Sequence, residues 1–342
     1  MESPAHSGSG RPAVSLIVPV HNGDAQLRVC LEQIRRLDPP PDECIVVDDG
    51  SSDRSPSLAR AFGCRVVSTA SPRGPAVARN AGAREARGEI LLFVDADVLP
   101  PLDAVARVRQ AFSADLSLAA VIGSYDDAPS EPGFFSQFRN LLHHYVHQNS
   151  REEAGTFWSG CGAIRREVFL RYGGFCSCFS RPSIEDIELG TRLREAGERI
   201  RLMKELQAKH LKRWTFWSMV RTDIFDRALP WTRLILRQRR MPADLNLRWR
   251  HRFSVALWTL AVALAPIAFC RPVAALVAFA SASLAAGLNA DFYRFLAVRR
   301  GWWFALRAVP AHGVHFLCCA AGFGLGVCDY LLRPRATREA TA

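Results

Sequence analysis

Two aspartates, Asp95 and Asp97, stand one residue apart at the end of the apolar run Ile90-Leu91-Leu92-Phe93-Val94. With 33 acidic residues in the chain, roughly three acid-x-acid triplets arise by chance, so position carries the argument. At the carboxyl end of a strand both side chains face the crevice where open α/β sheets bind ligands. Two hard oxygen donors there suit Mg2+ or Mn2+, which keeps its remaining positions for water and nucleotide phosphates. An ion so held stabilises charge building on a diphosphate leaving group. A second acidic stretch, Asp48-Asp49-Gly50-Ser51-Ser52-Asp53, follows another apolar run. It has the composition of a strand-ending turn with Asp53 capping the next helix. A carboxylate just past the strand is also placed to accept hydrogen bonds from a base or ribose.

These residues require a frame that presents strand ends side by side. Apolar runs at 14–20, 44–47, 65–67 and 90–94 read as buried strands, and amphipathic patterns at 25–37, 56–62 and 76–87 read as helices between them. The alternation implies an α/β fold whose parallel sheet is covered on both faces. His21-Asn22-Gly23, the Asp48 stretch and Asp95-Ala96-Asp97 each follow a strand, where such a fold gathers its chemistry. No fixed-period repeat is visible. The fingerprint G-x-G-x-x-G is missing after the first strand, which disfavours a nicotinamide-dependent oxidoreductase.

The formal net charge of +11 and pI near 9.5 suit a nucleic-acid binder, a membrane-surface protein or an enzyme of phosphorylated substrates. Placement decides among them. Arg233, Arg237, Arg239, Arg240, Arg248, Arg250 and Arg252 crowd ahead of a long apolar region, where positive-inside anchoring charges belong. No nucleic-acid module is recognisable, so nucleic acid is not an expected partner. Trp217, Val220, Ile224, Ala228, Trp231 and Ile235 recur at helical spacing, with Pro230 expected to break or kink that helix. The pattern fits an interfacial helix, with a helix packed on the preceding domain as the lesser alternative. Between 253 and 290 the only charge is Arg271, followed by Pro272, which reads as a helical hairpin. A polar, basic loop with Arg294, Arg299 and Arg300 follows, then an uncharged stretch at 308–328. A third span there would send Arg333, Arg335 and Arg338 outward, against the positive-inside tendency, so three spans or a re-entrant segment both remain open. Residues 1–12, rich in Ser, Gly and Pro, read as a disordered tail without a signal pattern, which leaves the first domain cytoplasmic. The ten cysteines are scattered with no C-x-x-C pair and read as reduced, mostly buried thiols.

Taken together, Val18-Pro19-Val20-His21-Asn22, Val46-Val47-Asp48-Asp49-Gly50-Ser51, the segment 74–82 with Ala78-Arg79-Asn80, and Asp95-Ala96-Asp97 resemble glycosyltransferase family 2 in order and spacing. Trp158-Ser159-Gly160-Cys161-Gly162 with Gly173-Gly174-Phe175 resembles the family's acceptor-side loop, and Glu185-Asp186 its catalytic acidic pair. The resemblance spans about 14–214. It implies a GT-A fold with a parallel or mixed sheet, and inverting transfer from a nucleotide-sugar donor. Carried over, it places Pro19, His21 and Asp49 on the nucleoside. Asp95, Ala96 and Asp97 fall on ribose, diphosphate and metal, with Asp97 the first candidate for direct ligation and Asp95 the second. Gly160, Cys161, Glu185 and Trp214 fall on the acceptor side, and Asp186 is the general base. Asp186 also opens a helical pattern, where an acid serves as a cap or dipole partner, and Glu185 or Glu188 could be the working group instead. Processive members carry Gln-x-x-Arg-Trp after the base, whereas this chain reads His210-Leu211-Lys212-Arg213-Trp214. His210 could ligate the metal, contact the diphosphate, or merely enter the interfacial helix as a polar residue.

The expected organisation is a tail at 1–12, a catalytic domain at 13–213, an amphipathic basic linker at 214–252, a membrane region at 253–332 with its hairpin at 253–290 and third segment at 308–328, and a tail at 333–342. The expected activity is transfer of one sugar to a lipid or lipid-linked acceptor at the cytoplasmic face of a bacterial inner membrane. A polysaccharide synthase subunit and a catalytically silent nucleotide-binding membrane protein are the rivals.

Overall fold

The computed structural model describes residues 11–69, 71–239 and 248–332. The tail at 1–10, Arg240 with the rest of the basic linker to residue 247, and Arg333, Arg335 and Arg338 therefore lie outside the described residues.

The first strands form where the apolar runs fall: β1 Val14–Val20, β2 Glu43–Asp48, β3 Arg65–Ser68 and β4 Ile90–Val94, joined by α1 Asp24–Ile34, α2 Ser55–Ala61 and α3 Pro75–Glu85. Then come β5 Val98–Leu99, α4 Ala104–Ala114, β6 Leu118–Tyr125, α5 Phe134–Gln148, β7 Cys161–Arg165, α6 Arg166–Arg171, α7 Glu185–Glu195 and β8 Arg199–His210. All eight strands join one sheet in the order β3-β2-β1-β4-β7-β6-β8-β5. Its first half is parallel as expected, but β7 enters antiparallel between β4 and β6. The sheet is therefore mixed. Pairing of β1 with β4 stops at Ile17, while pairing with β2 runs on to Val20. Pro19, which has no N–H to donate, thus falls where β1 has shed one neighbour, and the strands part there into a crevice.

Side chains alternate between two cores, as strand geometry demands. Leu16, Val18 and Leu92 pack with α1 and α4 around Leu27, Leu31, Val105 and Phe112. Ile17, Val47 and Phe93 pack with α3, α6 and α7 around Phe157, Phe169, Phe175, Leu189 and Leu193.

After β8, Thr215 and Ser218 form a reciprocal capping box that starts α8 Phe216–Arg221. The helix continues through a π-helical segment, Thr222–Ala228, into α9 Leu229–Gln238. Of the expected break or kink at Pro230, a break does not occur. Pro230 falls in the first turn after the π segment, and the carbonyl of Asp226, four residues earlier, accepts instead from Ser183 Oγ at 2.8 Å.

The hairpin forms as α10 Trp249–Ala268 and α11 Pro272–Leu288. The segment expected as a polar loop is a helix, α12 Ala290–Arg300, bent 65° from α11 at Asn289. Its Arg299 pairs with Asp127 at 3.0 Å and Arg300 donates to Gln137 at 2.8 Å, so α12 lies against the catalytic domain. The third apolar stretch belongs to the 31-residue α13 Trp302–Leu332. Helices α10 and α13 are long and apolar enough to cross a membrane, and α11 with α12 passes as one broken span. A third core joins the two halves: Phe138, Leu141 and Tyr145 of α5 pack on Phe292 and Leu296 of α12 and Ala305 and Ala308 of α13. The all-thiol expectation needs one correction, since Cys176 and Cys178 are joined as a disulfide in the loop between α6 and α7. The separation of two residues escapes a search for C-x-x-C.

Candidate active site

The crevice begins at the end of β1. His21 Nδ1–H donates to the Asp49 carbonyl at 2.8 Å, which leaves Nε2 as the acceptor facing Asn22 Nδ2. The Asp49 carboxylate is more occupied than its sequence position implies. Thr69 Oγ1 donates to it at 2.6 Å, Arg73 N–H at 3.1 Å and Gly74 N–H at 2.7 Å. Asp49 thereby shapes the loop entering α3. Gly74 is required there: its φ is +92°, and a Cβ would stand 2.6 Å from the backbone of Ser180.

Asp95 and Asp97 emerge from β4 in a tight turn. Asp95 N–H donates to the Gly160 carbonyl at 3.2 Å, and Val98 N–H closes back on the Asp95 carbonyl at 2.9 Å. The short β5 then pairs with the end of β8, Val98 opposite His210, and Leu211 N–H donates to the Asp97 carbonyl at 2.8 Å. This brings His210 Nε2 to 3.6 Å from Asp97 Oδ2. The imidazole stacks on Tyr125 at 4.2 Å and is buried at the strand end, so it does not belong to the helix that follows. Burial pushes the Asp97 carboxyl upward, but His210 and the Lys212 ammonium outweigh it and hold Asp97 below the usual carboxylate range. Asp95 moves the other way: burial raises it beyond what Arg79 restores.

Arg79 is the link that sequence reasoning missed, although the Ala78-Arg79-Asn80 motif contained it. Buried in α3, it places Nη2 2.6 Å from Asp95 Oδ1 and Nη1 2.9 Å from Glu185 Oε1. The other Glu185 oxygen accepts from Ser183 N–H at 2.9 Å. Glu188 is held by Arg192, its i+4 neighbour, at 2.7 Å. Asp186 alone of the three acids lines the cavity described below. Its oxygens accept from Ile187 N–H at 2.8 Å and Ser159 N–H at 3.2 Å, and the N-cap position of α7 is Ile184, so Asp186 is not the capping residue. Burial and the neighbouring Glu185 raise its pKa to about 6.

Below Asp186 opens a cavity of about 410 Å³. Arg139 and His143 of α5, Trp158, and Arg227 of the π segment line it. So do Trp231 of α9, Arg252 and Val255 of α10, and His312, Phe316 and Phe323 of α13. Arg139 is matched by the buried Asp223, Nη2 to Oδ1 2.5 Å, and His315 Nδ1 lies 2.7 Å from Asp223 Oδ2.

Asp95, Asp97, His210, Glu185 and Asp186 therefore converge, with Pro19, His21 and Asp49 at the far end of the crevice and Ala96 inside the turn. Gly160 and Cys161 form the seam with β4, where the Cys161 thiol is buried in the sheet with its pKa pushed up to about 12. Trp214 does not reach the cavity. It is buried in the third core, its backbone N–H donating to Ser136 Oγ at 2.8 Å, with the Lys212 ammonium 4.4 Å over its ring. Tyr125 and Arg227 carried no sequence signal of their own, since neither lies in a strand-end motif.

A mixed sheet thus presents acidic strand ends toward an acid in the first turn of a helix. Residues 15–173 match Glycosyl transferase family 2, and the domain they form belongs to that family. The probable glycosyltransferase YdaM of Bacillus subtilis is 28% identical over 229 residues, 62% of this chain and 54% of that protein. The validoxylamine A glucosyltransferase of Streptomyces hygroscopicus is 26% identical over 58% of this chain and 52% of its own length. The chain thus spans about half the length of these curated relatives. Among solved structures, the mannosyltransferase PcManGT of Pyrobaculum calidifontis, in complex with GDP-Man and Mn2+, superposes with a TM-score of 0.59 at 23% identity, covering 94% of this chain and 88% of that one. The fold is accordingly GT-A-like, with C-terminal helices long and apolar enough to span a membrane.

Proposed function

We propose that the protein is an inverting, metal-dependent glycosyltransferase that moves one sugar from a nucleoside-diphosphate donor to a lipid or lipid-linked acceptor. The observation that carries this reading is the position of Asp186 between the Arg79-linked Asp95 and a cavity lined in part by α9, α10 and α13.

Asp186 would take the proton of an acceptor hydroxyl as its oxygen attacks the anomeric carbon from the face opposite the leaving diphosphate. A carboxylate tuned to about 6 suits that work near neutral pH. Asp97 and His210, 3.6 Å apart, with the Asp95 oxygen not engaged by Arg79, are the groups that would hold Mg2+ or Mn2+. Among the described residues no group of three or more His, Cys, Asp or Glu is placed to hold a metal ion, so phosphate and water would have to complete its coordination. When bound, the ion neutralises the leaving diphosphate. The same ligand classes, GDP-mannose and Mn2+, accompany the structural neighbour. Pro19, His21 and the loop organised by Asp49 would receive the nucleoside.

The domain boundaries proposed are 13–213 for catalysis, 214–252 as an interfacial element and 253–332 in the membrane. Outward-facing Phe253, Leu276, Phe279, Trp302 and Trp303 support embedding in lipid. Arg248, Arg250, Arg252 and the α12 arginines on the catalytic side support a cytoplasmic active site on a bacterial inner membrane. Incubating membranes that contain the protein with a panel of radiolabelled nucleotide sugars tests the reading. Label should enter the lipid fraction from one donor and should be lost in excess chelator. Label that appears only in aqueous polymer would favour a polysaccharide synthase.

A further inference from the structure

We propose that the acceptor carries a phosphoryl group beside its reacting hydroxyl, and that Arg227 is the residue that holds this group in the cavity below Asp186. The inference rests on the glycosyltransferase reading and narrows its acceptor class.

Three observations meet here. The first is charge. Arg227 projects into the cavity and makes no hydrogen bond or ion pair among the described residues. The carboxylate it would otherwise find, Asp223, is already committed to Arg139 and His315. The remaining lining acid, Asp186, accepts from two backbone N–H groups. The cavity therefore has a cation with no carboxylate bonded to it. Arg227 keeps an exposed part, and the surrounding walls and the Arg139 guanidinium press its pKa below the ordinary arginine value. A guanidinium fork matches phosphoryl oxygens two at a time.

The second observation is the rest of the lining. Trp231, Val255, Phe316 and Phe323 add apolar surface from the helices of the proposed membrane region, set among His251, Arg252, His312 and His315. An occupant with an anionic group and an aliphatic chain meets both kinds of surface. The third is Asp186. A phosphoryl oxygen is already anionic and needs no base to attack, whereas a hydroxyl does. A base and an unmatched cation in one cavity thus describe one molecule with a nucleophilic hydroxyl, a phosphoryl group and an apolar chain, as in a lipid-diphosphate-linked sugar. In the reaction the hydroxyl oxygen bonds to the anomeric carbon and its proton passes to Asp186. The bond from that carbon to the nucleoside diphosphate breaks, its electron pair leaving with the diphosphate. The acceptor's phosphoryl group is unchanged.

The test uses the full chain in detergent with two acceptors ending in the same monosaccharide, one linked to a prenyl diphosphate and the other an uncharged glycolipid. Wild type should show a KM at least about tenfold lower for the first, a gap that requires no variant to read. Arg227→Gln should erase the gap by raising KM for the diphosphate acceptor alone, with donor KM unchanged, and Arg227→Lys should restore part of it. Equal KM values for both acceptors in wild type would overturn the proposal while leaving glycosyl transfer intact. So would full-rate use of a bare prenyl phosphate by Asp186→Asn, since the nucleophile would then be a phosphoryl oxygen. No nucleotide release from any donor in wild type would instead remove the parent reading.

Discussion

At neutral pH Asp186 is largely ionised in surroundings that resist the charge, and two measurable consequences follow. The kcat/KM profile should fall on the acid side of about pH 6, by one decade per pH unit, as the base becomes protonated. Asp186→Asn should cut kcat by about 10²–10⁴-fold while nucleotide affinity stays near wild type. The stability effect has the opposite sign. The folded-state pKa lies above the ordinary 3.8, so the contribution of this group is fully present below 3.8 and is lost as pH rises through about 6. The Asn variant should therefore melt above wild type at pH 7.5, with the gap closing as pH falls through that window; a lower Tm at neutral pH would assign the residue a structural role. Asp97→Asn should show the reverse kinetic balance, losing metal-dependent nucleotide affinity together with turnover. Arg79 joins two buried or half-buried carboxylates, and Arg79→Met would leave Glu185 without its cation. Breaking one partner of a buried pair typically costs about 3–5 kcal/mol, which denaturant unfolding would read directly.

Among the elements, α7 is fixed by one close approach. A Cβ on Gly190 would fall 1.9 Å from Phe157 N and 2.6 Å from Thr156 Cα, both backbone atoms unable to step aside. Gly190→Ala should cost about 1–3 kcal/mol or more by overpacking. It should also slow turnover, because the displaced loop carries the Ser159 N–H that orients Asp186. In α11, Gly287 has nothing within 4 Å, so Gly287→Ala should be neutral or slightly stabilising in the same thermal unfolding assay. The contrast between these helices parallels what the sequence could disclose. Strands β1 to β4 were legible because their apolar runs are bounded by turn residues, and the motifs at their ends followed. The antiparallel entry of β7 was not, since strand direction depends on a partner distant in the chain. That the helix runs on through Pro230 is not legible either, because a π segment and the Ser183 side chain relieve the lost hydrogen bond, and neither is encoded in local spacing. Arg79 was quoted as part of a motif without a role, since its two partners lie 16 and 106 residues away.

Across the whole molecule, the catalytic domain and the C-terminal helices are not separable modules. The α5 face built from Phe138, Leu141 and Tyr145 is buried by α12 and α13, and removing these helices would expose a contiguous apolar patch of the kind that drives association. A chain ending at Gln238 should therefore aggregate in aqueous buffer and remain monodisperse only with detergent, as size-exclusion chromatography would show. A soluble, monomeric and active truncated chain would count against this interdependence. The helices thus form part of the candidate site, because α10 and α13 supply lining of the cavity beneath Asp186.

The π-helical segment Thr222–Ala228 carries Asp223, which faces Arg139 and His315, and four residues later Arg227, which faces the cavity. A π turn is geometrically an α-helix that has accepted an extra residue, with everything beyond it rotated by the angle of one residue, about 100°. The segment is therefore a phase shift written into the chain. Deleting one residue between Asp223 and Arg227 would leave a sound helix, still anchored at Asp223, whose guanidinium points elsewhere, and would turn the Trp231 face with it. The cavity's charge pattern is then exposed to a mutation that leaves Asp223 and Arg227 both in place and changes only the count of residues between them.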